Sequence, residues 1–152
     1  MDLIDLHLYL HLILVVKGRG SFILPEIKHE IENYLSEMVE INEHKIHAVS
    51  CLPDHSHLLI SWNSNFSIED LIVEIKQLSK HFILHRKWNK SFDWQDDYAA
   101  LSCSESEVTD LIHYIHNQPD YHKKKSFKEE FEALLQKNEI EYREEDLFEF
   151  YD

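Results

Sequence analysis

The sequence predicts one globular α/β domain, residues 1–152, in which short strands and amphipathic helices follow one another. Three observations predict it. The chain has 152 residues, 43% of them hydrophobic and 12% aromatic, which is enough to build a core. Short apolar runs, bounded by turn residues, are interleaved with stretches whose apolar residues recur at helical spacing. Only 2 glycines and 3 prolines are present, so long flexible linkers are not expected.

Leu8 to Val16 is a nearly unbroken apolar run ending in β-branched residues, suited to a central strand covered on both faces. Periodicity alone does not separate it from a buried helix. Lys17-Gly18-Arg19-Gly20 reads as a turn, either plainly solvated or placed to approach a phosphate backbone. Pro25 fits the first turn of a helix whose apolar stripe is Ile27, Ile31, Tyr34, Leu35 and Met38. His44 to Cys51 and His55 to Trp62 read as strands either side of a Pro53-Asp54 turn. Ser67 caps the next helix, with Ile68, Leu71, Ile72, Ile75, Leu78, Phe82 and Ile83 inward. Tyr98 to Cys103 is a further strand, and Ser104-Glu105-Ser106-Glu107 is a capping box for a third helix. Pro119 should end or kink that helix at Gln118. Ser126 caps a fourth helix that buries Phe127, Phe131, Leu134 and Leu135. The acidic segment 139–152 carries enough large apolar residues to pack on the domain.

The formal net charge is −14, which alone argues against nucleic acid. Its distribution tempers this. Residues 129–152 hold ten acidic and two basic side chains, and so account for −8 of the total. Elsewhere Lys76, Lys80, Arg86, Lys87 and Lys90 form one basic stretch, and Lys123, Lys124, Lys125 and Lys128 form another. Lys76 and Lys80 share a helix face, which is either a solvated lysine face or a track for single-stranded nucleic acid. Two cysteines are too few for a disulfide framework. The N-terminal apolar run, Leu6 to Val16, is too short to span a bilayer and lacks a basic leader, so no membrane role is expected and the chain reads as cytoplasmic.

The stretch with the most chemistry is Leu52-Pro53-Asp54-His55-Ser56-His57-Leu58. Two histidines two apart on a strand point the same way and can share a metal ion. With 12 histidines in the chain, roughly one such spacing is expected by chance, so two ordinary strand histidines remain the alternative. A zinc cluster of His44, His47, Cys51, His55 and His57 matches no standard ligand spacing. Tyr114 and Gln118 are four apart and flank a helical core stripe. They are either placed to act on one ligand or are a boundary tyrosine and a surface amide.

These pieces, in this order, resemble the single-strand tyrosine transposases of the His-hydrophobic-His superfamily, the IS200-type enzymes and their relatives associated with repeated extragenic palindromes. The resemblance rests on Val16-Lys17, the Leu52–Leu58 stretch, the Trp94-Gln95 to Ser104 segment, and Tyr114-Ile115-His116-Asn117-Gln118 leading to His122-Lys123-Lys124-Lys125-Ser126-Phe127. It implies an antiparallel sheet with packed helices, ferredoxin-like or RNA-recognition-like. It implies His55, His57 and Gln118 as ligands of Mg²⁺ or Mn²⁺, and Tyr114 as a nucleophile that forms a 5′-phosphotyrosine. It further implies a homodimer, in which the tyrosine helix can complete the partner's site, and recognition of single-stranded DNA hairpins in a bacterial cell. Lys17, Arg19, Lys76, Lys80, Lys87, Lys123 and Lys124 are the expected phosphate contacts. The competing expectation is a non-catalytic descendant that binds hairpins without forming a covalent adduct.

Overall fold

The computed structural model describes residues 8–152, so Leu6 and His7 of the N-terminal run lie outside the described residues. The elements are β1 (Tyr9–Val15), α1 (Lys28–Ile41), β2 (Lys45–Cys51), β3 (His55–Ser61), α2 (Ile68–His85), β4 (Ala99–Cys103), α3 (Val108–His116), α4 (Gln118–Tyr121) and α5 (Phe127–Lys137). The strands form one sheet in the order β2-β3-β1-β4, with every neighbouring pair antiparallel. This is the β-α-β-β-α-β arrangement of ferredoxin-like domains, followed by three more helices.

The apolar run of β1 is a strand because it lies between β3 and β4 and is covered on both faces. Leu10, Leu12, Leu14 and Val16 face one side with Leu58 and Ile60, under α1 (Ile31, Leu35, Val39) and α2 (Leu71, Ile72, Ile75, Ile83). Ile13 and Val15 face the other side, against Phe127, Phe131 and Leu135 of α5 and Phe148 beyond it. Near-continuous hydrophobicity is what a strand buried on both faces requires. Helix α1 begins at Lys28, and Pro25 lies in the turn before it rather than in its first turn. The Ser67 and Ser126 hydroxyls accept the amide hydrogens of Asp70 and Glu129. At Ser104 the capping box opens a short 3-10 turn, Glu105–Glu107, which runs into α3.

Residues beyond α5 return to the sheet. Phe127 N donates to Asp152 Oδ2 at 2.7 Å. The Tyr151 hydroxyl accepts from Gly18 N at 2.5 Å and donates to Val16 O at 3.2 Å. Gly18 can present its amide this way because it sits at φ 82°, a conformation costly for other residues. Among the described residues, no helix is long and apolar enough to cross a membrane.

Cys51 is 1% exposed on the α1/α2 side, and burial pushes its thiol up to about 12. Cys103 is only partly buried. A thiol reagent at neutral pH is therefore expected to modify Cys103 in the native protein and Cys51 only after unfolding. Peptide mapping before and after denaturant checks this, and equal native reactivity of both would contradict the packing around Cys51.

Candidate active site

The β2–β3 turn closes tightly, with Leu52 N donating to His55 O at 2.7 Å, so β3 starts at His55 itself. His55 and His57 therefore project from the same face of the sheet, opposite Val15 and Ile13 of β1. Each ring is oriented through its Nδ1. His55 Nδ1 lies 2.7 Å from Asp54 Oδ1, and His57 Nδ1 lies 2.7 Å from His11 Nε2. A partner at Nδ1 leaves Nε2 facing inward. The His55 ring also stacks on Phe127, with centroids 3.8 Å apart and planes 7° apart.

Helix α3 is fixed to this face by Ile115, buried against Ala48 and Leu59. It ends at His116. Asn117, at φ −92° and ψ 10°, is the break expected before Pro119, and the proline falls in the first turn of α4, where its missing amide costs little. The break is shallow enough that Tyr114 and Gln118 still reach one group, the carboxylate of Glu130. The Tyr114 hydroxyl donates to Glu130 Oε2, and Gln118 Nε2 donates to the same oxygen at 2.6 Å. Glu130 Oε1 lies 3.2 Å from His57 Nε2, 3.3 Å from His122 Nε2 and 3.5 Å from His55 Nε2. His122 Nε2 is also 2.8 Å from Gln118 Oε1.

Two members of this cluster, His122 and Glu130, are not among the residues singled out from the sequence. The acidic composition of residues 129–152 hides Glu130 among solvated carboxylates. Its position gives it away, because Phe127, Glu130, Phe131 and Leu134 share one helical stripe. An acid on an apolar stripe needs a buried partner. His122 stands one turn after Gln118. The zinc grouping does not form. His44 Nδ1 accepts from Asn63 N, His47 bonds Ser61 Oγ, and Cys51 accepts from Ser56 Oγ on the opposite face.

Electrostatics tie the cluster together. Burial works to raise the Glu130 carboxyl, but hydrogen bonds from His122, His55 and His57 hold it well below the usual carboxylate range. Burial likewise opposes charge on His55, yet Asp54 and Glu130 together leave its pKa raised. His57 is lowered, chiefly by burial. His11 is lowered by burial to about 3 and is a neutral partner for His57. Burial, followed by the charge of Glu130, pushes the Tyr114 phenol well above its ordinary range. Two clefts, of about 510 and 330 Å³, both have Tyr114 in their walls, and the smaller also reaches Glu130 and Tyr121.

The donor set fits a divalent cation. One ligand atom from each of His55, His57, His122 and Glu130 lies within 4.8 Å of the others, and three of the four residues are buried. Asp54 holds the first of these imidazoles from behind. Asp54→Asn is expected to weaken cation binding by about 10–100-fold, the cost typical of losing such a support. Calorimetric titration of the two proteins measures it, and equal affinities would remove Asp54 from the site.

The expected phosphate contacts fall in three places. Lys17 and Arg19 are exposed at the end of β1, beside the Pro53-Asp54 turn, where Val16 N donates to Asp54 O. Lys123 and Lys124 are exposed immediately after His122. Lys76 and Lys80 belong to α2, on the sheet face away from His55 and His57. The Lys76 ammonium is held by the carbonyls of Gln95, Asp96 and Asp97, and Lys80 pairs with Asp93 at 3.3 Å. Lys87, just past α2, is exposed with φ 60°.

The chain is similar to known proteins along most of its length. Over 117 residues it is 27% identical to the ISDra2 transposase TnpA of Deinococcus radiodurans, a match covering 72% of this chain and 83% of that one. Its fold is similar to the crystal structure of a candidate transposase from Deinococcus radiodurans, with a TM-score of 0.61 and 22% identity over 78% of this chain and 95% of that one. It is also similar to a REP-associated tyrosine transposase bound to a REP hairpin, with a TM-score of 0.58 and 17% identity over 76% of this chain and 68% of that one. The family model described as Transposase IS200 like matches residues 6–118. The chain belongs to the IS200-like transposases, enzymes of DNA transposition.

Proposed function

We propose that this transposase cleaves and rejoins single-stranded DNA at hairpin-marked ends through a phosphotyrosine on Tyr114. One observation carries the reading: the Tyr114 hydroxyl is bonded to a carboxylate whose other oxygen is ringed by three imidazoles. The nucleophile and a cation-binding cluster thus share one group. The similar REP-associated enzyme, bound to a hairpin, supports the choice of substrate.

The cluster would hold a divalent cation, Mg²⁺ or Mn²⁺ by the family resemblance, which would supply Lewis-acid stabilisation of charge on the scissile phosphate. The chain's own residues do the rest. Tyr114 Oη attacks phosphorus, the bond to the 3′ oxygen breaks, and the strand leaves with a 3′-hydroxyl while its neighbour stays on the tyrosine as a 5′-phosphoester. The hydrogen bond to Glu130 Oε2 holds the Tyr114 hydroxyl in place; the phenol gives up its proton as the phosphoester forms, and the departing 3′ oxygen takes one up, so the protons balance. In the second step a 3′-hydroxyl attacks the phosphotyrosine and restores the phenol. One phosphodiester is exchanged for another, so no external energy is needed. Lys17, Arg19, Lys123 and Lys124 are the cations best placed to hold the strand. Lys76, Lys80 and Lys87 would hold DNA on the other side of the sheet.

Incubation with single-stranded DNA carrying its flanking hairpin and Mg²⁺ or Mn²⁺ tests the proposal. A covalent protein–DNA species resistant to denaturant is expected. Hairpin binding with no adduct under either metal would leave the non-catalytic reading in its place. We further propose that the active form is a homodimer. Sedimentation at micromolar concentration is expected to show about twice the 18.3 kDa chain mass, and a purely monomeric species would count against it.

A further inference from the structure

We propose that His122 and Glu130 are themselves metal ligands, which makes this a three-imidazole, one-carboxylate centre selective for a transition-metal dication over Mg²⁺. The inference rests on the reading above that the site takes a divalent cation. It assigns the donors differently from the family resemblance, in which Gln118 joins His55 and His57.

Distances carry the assignment. A four-coordinate dication bonded at about 2.0–2.1 Å to each donor holds those donors roughly 3.3–3.4 Å apart. Glu130 Oε1 stands 3.2, 3.3 and 3.5 Å from the Nε2 atoms of His57, His122 and His55. The carboxylate oxygen therefore stands at shell spacing from each imidazole, and all four donors lie within 4.8 Å of one another. Nε2 of His55 and of His57 is directed inward by a partner on Nδ1, Asp54 and His11 respectively. His122 has the same arrangement, its Nδ1 lying 2.9 Å from Lys125 O. Three rings that are each held at the back and converge at the front form a ligand set, whereas one carboxylate needs fewer partners.

Gln118 has a different part. Its amide spans the cluster, donating to Glu130 Oε2, with Oε1 lying 2.8 Å from His122 Nε2 and 3.4 Å from His55 Nε2. Both of its polar ends are spent on other members, so it is a positioning residue that sets the angle between the histidine and the carboxylate. Glu130 has a double role. Oε1 belongs to the metal shell, while Oε2 keeps the Tyr114 hydroxyl beside it. A donor set of three imidazoles favours zinc, cobalt, iron or manganese over Mg²⁺, which prefers oxygen donors and retained water.

Cobalt(II) titration of the full chain without DNA tests this, because the visible bands of bound cobalt report the number and type of its donors. The wild-type protein is expected to give the intense bands of a four- or five-coordinate nitrogen-rich site, retained in a 100-fold excess of Mg²⁺. His122→Ala and Glu130→Gln are each expected to shift the bands and weaken binding by on the order of 100-fold or more. Gln118→Ala is expected to keep the band positions. Thermal melts of each variant check the fold. His122 is partly exposed and Glu130→Gln is nearly isosteric, so folded protein is expected for both. Wild-type spectra and affinity in both His122→Ala and Glu130→Gln would overturn the inference, as would displacement of cobalt by Mg²⁺ or a spectral change confined to Gln118→Ala. The transposition reading fails separately: an intact cobalt centre in a protein that forms no DNA adduct would sink that reading and leave this one standing.

Discussion

Tyr114→Phe is expected to abolish the covalent DNA adduct, lowering strand cleavage by on the order of 10⁴-fold or more, the scale of losing a nucleophile. Only the phenolic oxygen is removed. The ring still meets His57 edge-on at 6.0 Å and Tyr121 at 5.4 Å, so the packing of α3 is kept. Glu130 Oε2 still accepts from Gln118 Nε2 at 2.6 Å, so no buried acceptor is stranded, and the stability change should be about 1 kcal/mol. Tyr121→Phe is expected to keep the adduct. Tyr121 lies beside the basic run Lys123–Lys125, attractive ground for a phosphate, but among the described residues it is the Tyr114 hydroxyl that bonds to the histidine-ringed carboxylate. Mass spectrometry of the digested adduct decides between them. Nucleotide on a peptide containing Tyr121 and lacking Tyr114 would refute the assignment.

The second large effect is expected from His57→Ala, which should remove metal-dependent cleavage altogether. From the sequence alone His57 reads as a strand histidine whose loss spares the fold. The structure alters that expectation, because His57 is fully buried and bonded on both sides, to His11 and to Glu130. Its removal leaves a cavity and two buried polar groups each short of a partner. A stability loss of about 2–4 kcal/mol should accompany the loss of activity. The two effects separate experimentally, since cleavage can be assayed well below the melting temperature that calorimetry reports. Wild-type cleavage by folded His57→Ala protein with the same cation would exclude His57 from the site.

What could be read in the sequence was whatever repeats at short range. The strand β1 was legible because a run such as Leu12-Ile13-Leu14-Val15-Val16 suits burial on both faces. The serine caps at residues 67, 104 and 126 were legible because a cap is made by neighbours in the chain. The spacing of His55 and His57, and of Tyr114 and Gln118, gave two halves of the site for the same reason. The way the halves meet was not legible. Glu130 joins them from α5, 73 residues after His57, and its place on an apolar stripe marks it as buried without saying which groups it meets. The surroundings of the α2 lysines were not legible either. Lys76 and Lys80 make a basic stripe on paper, but carbonyls and an aspartate from the segment before β4 engage them, and their helix lies across the sheet from the histidines.

The strand order β2-β3-β1-β4 has a consequence for the nascent chain. One of the two inner strands, β1, is made first, and its second neighbour, β4, is the last strand of the sheet to be made. At ordinary translation speeds, roughly 4–18 s separate the emergence of Val15 from that of Cys103. During that interval β1 has β3 on one side at most, and its other edge offers unpaired peptide groups along a very apolar surface. His122 and Glu130 follow later still. A ribosome-bound fragment ending before β4 is thus the aggregation-prone species, and an exposed-strand binder such as a chaperone has its best target there, on a sheet whose histidine–glutamate cluster is still incomplete.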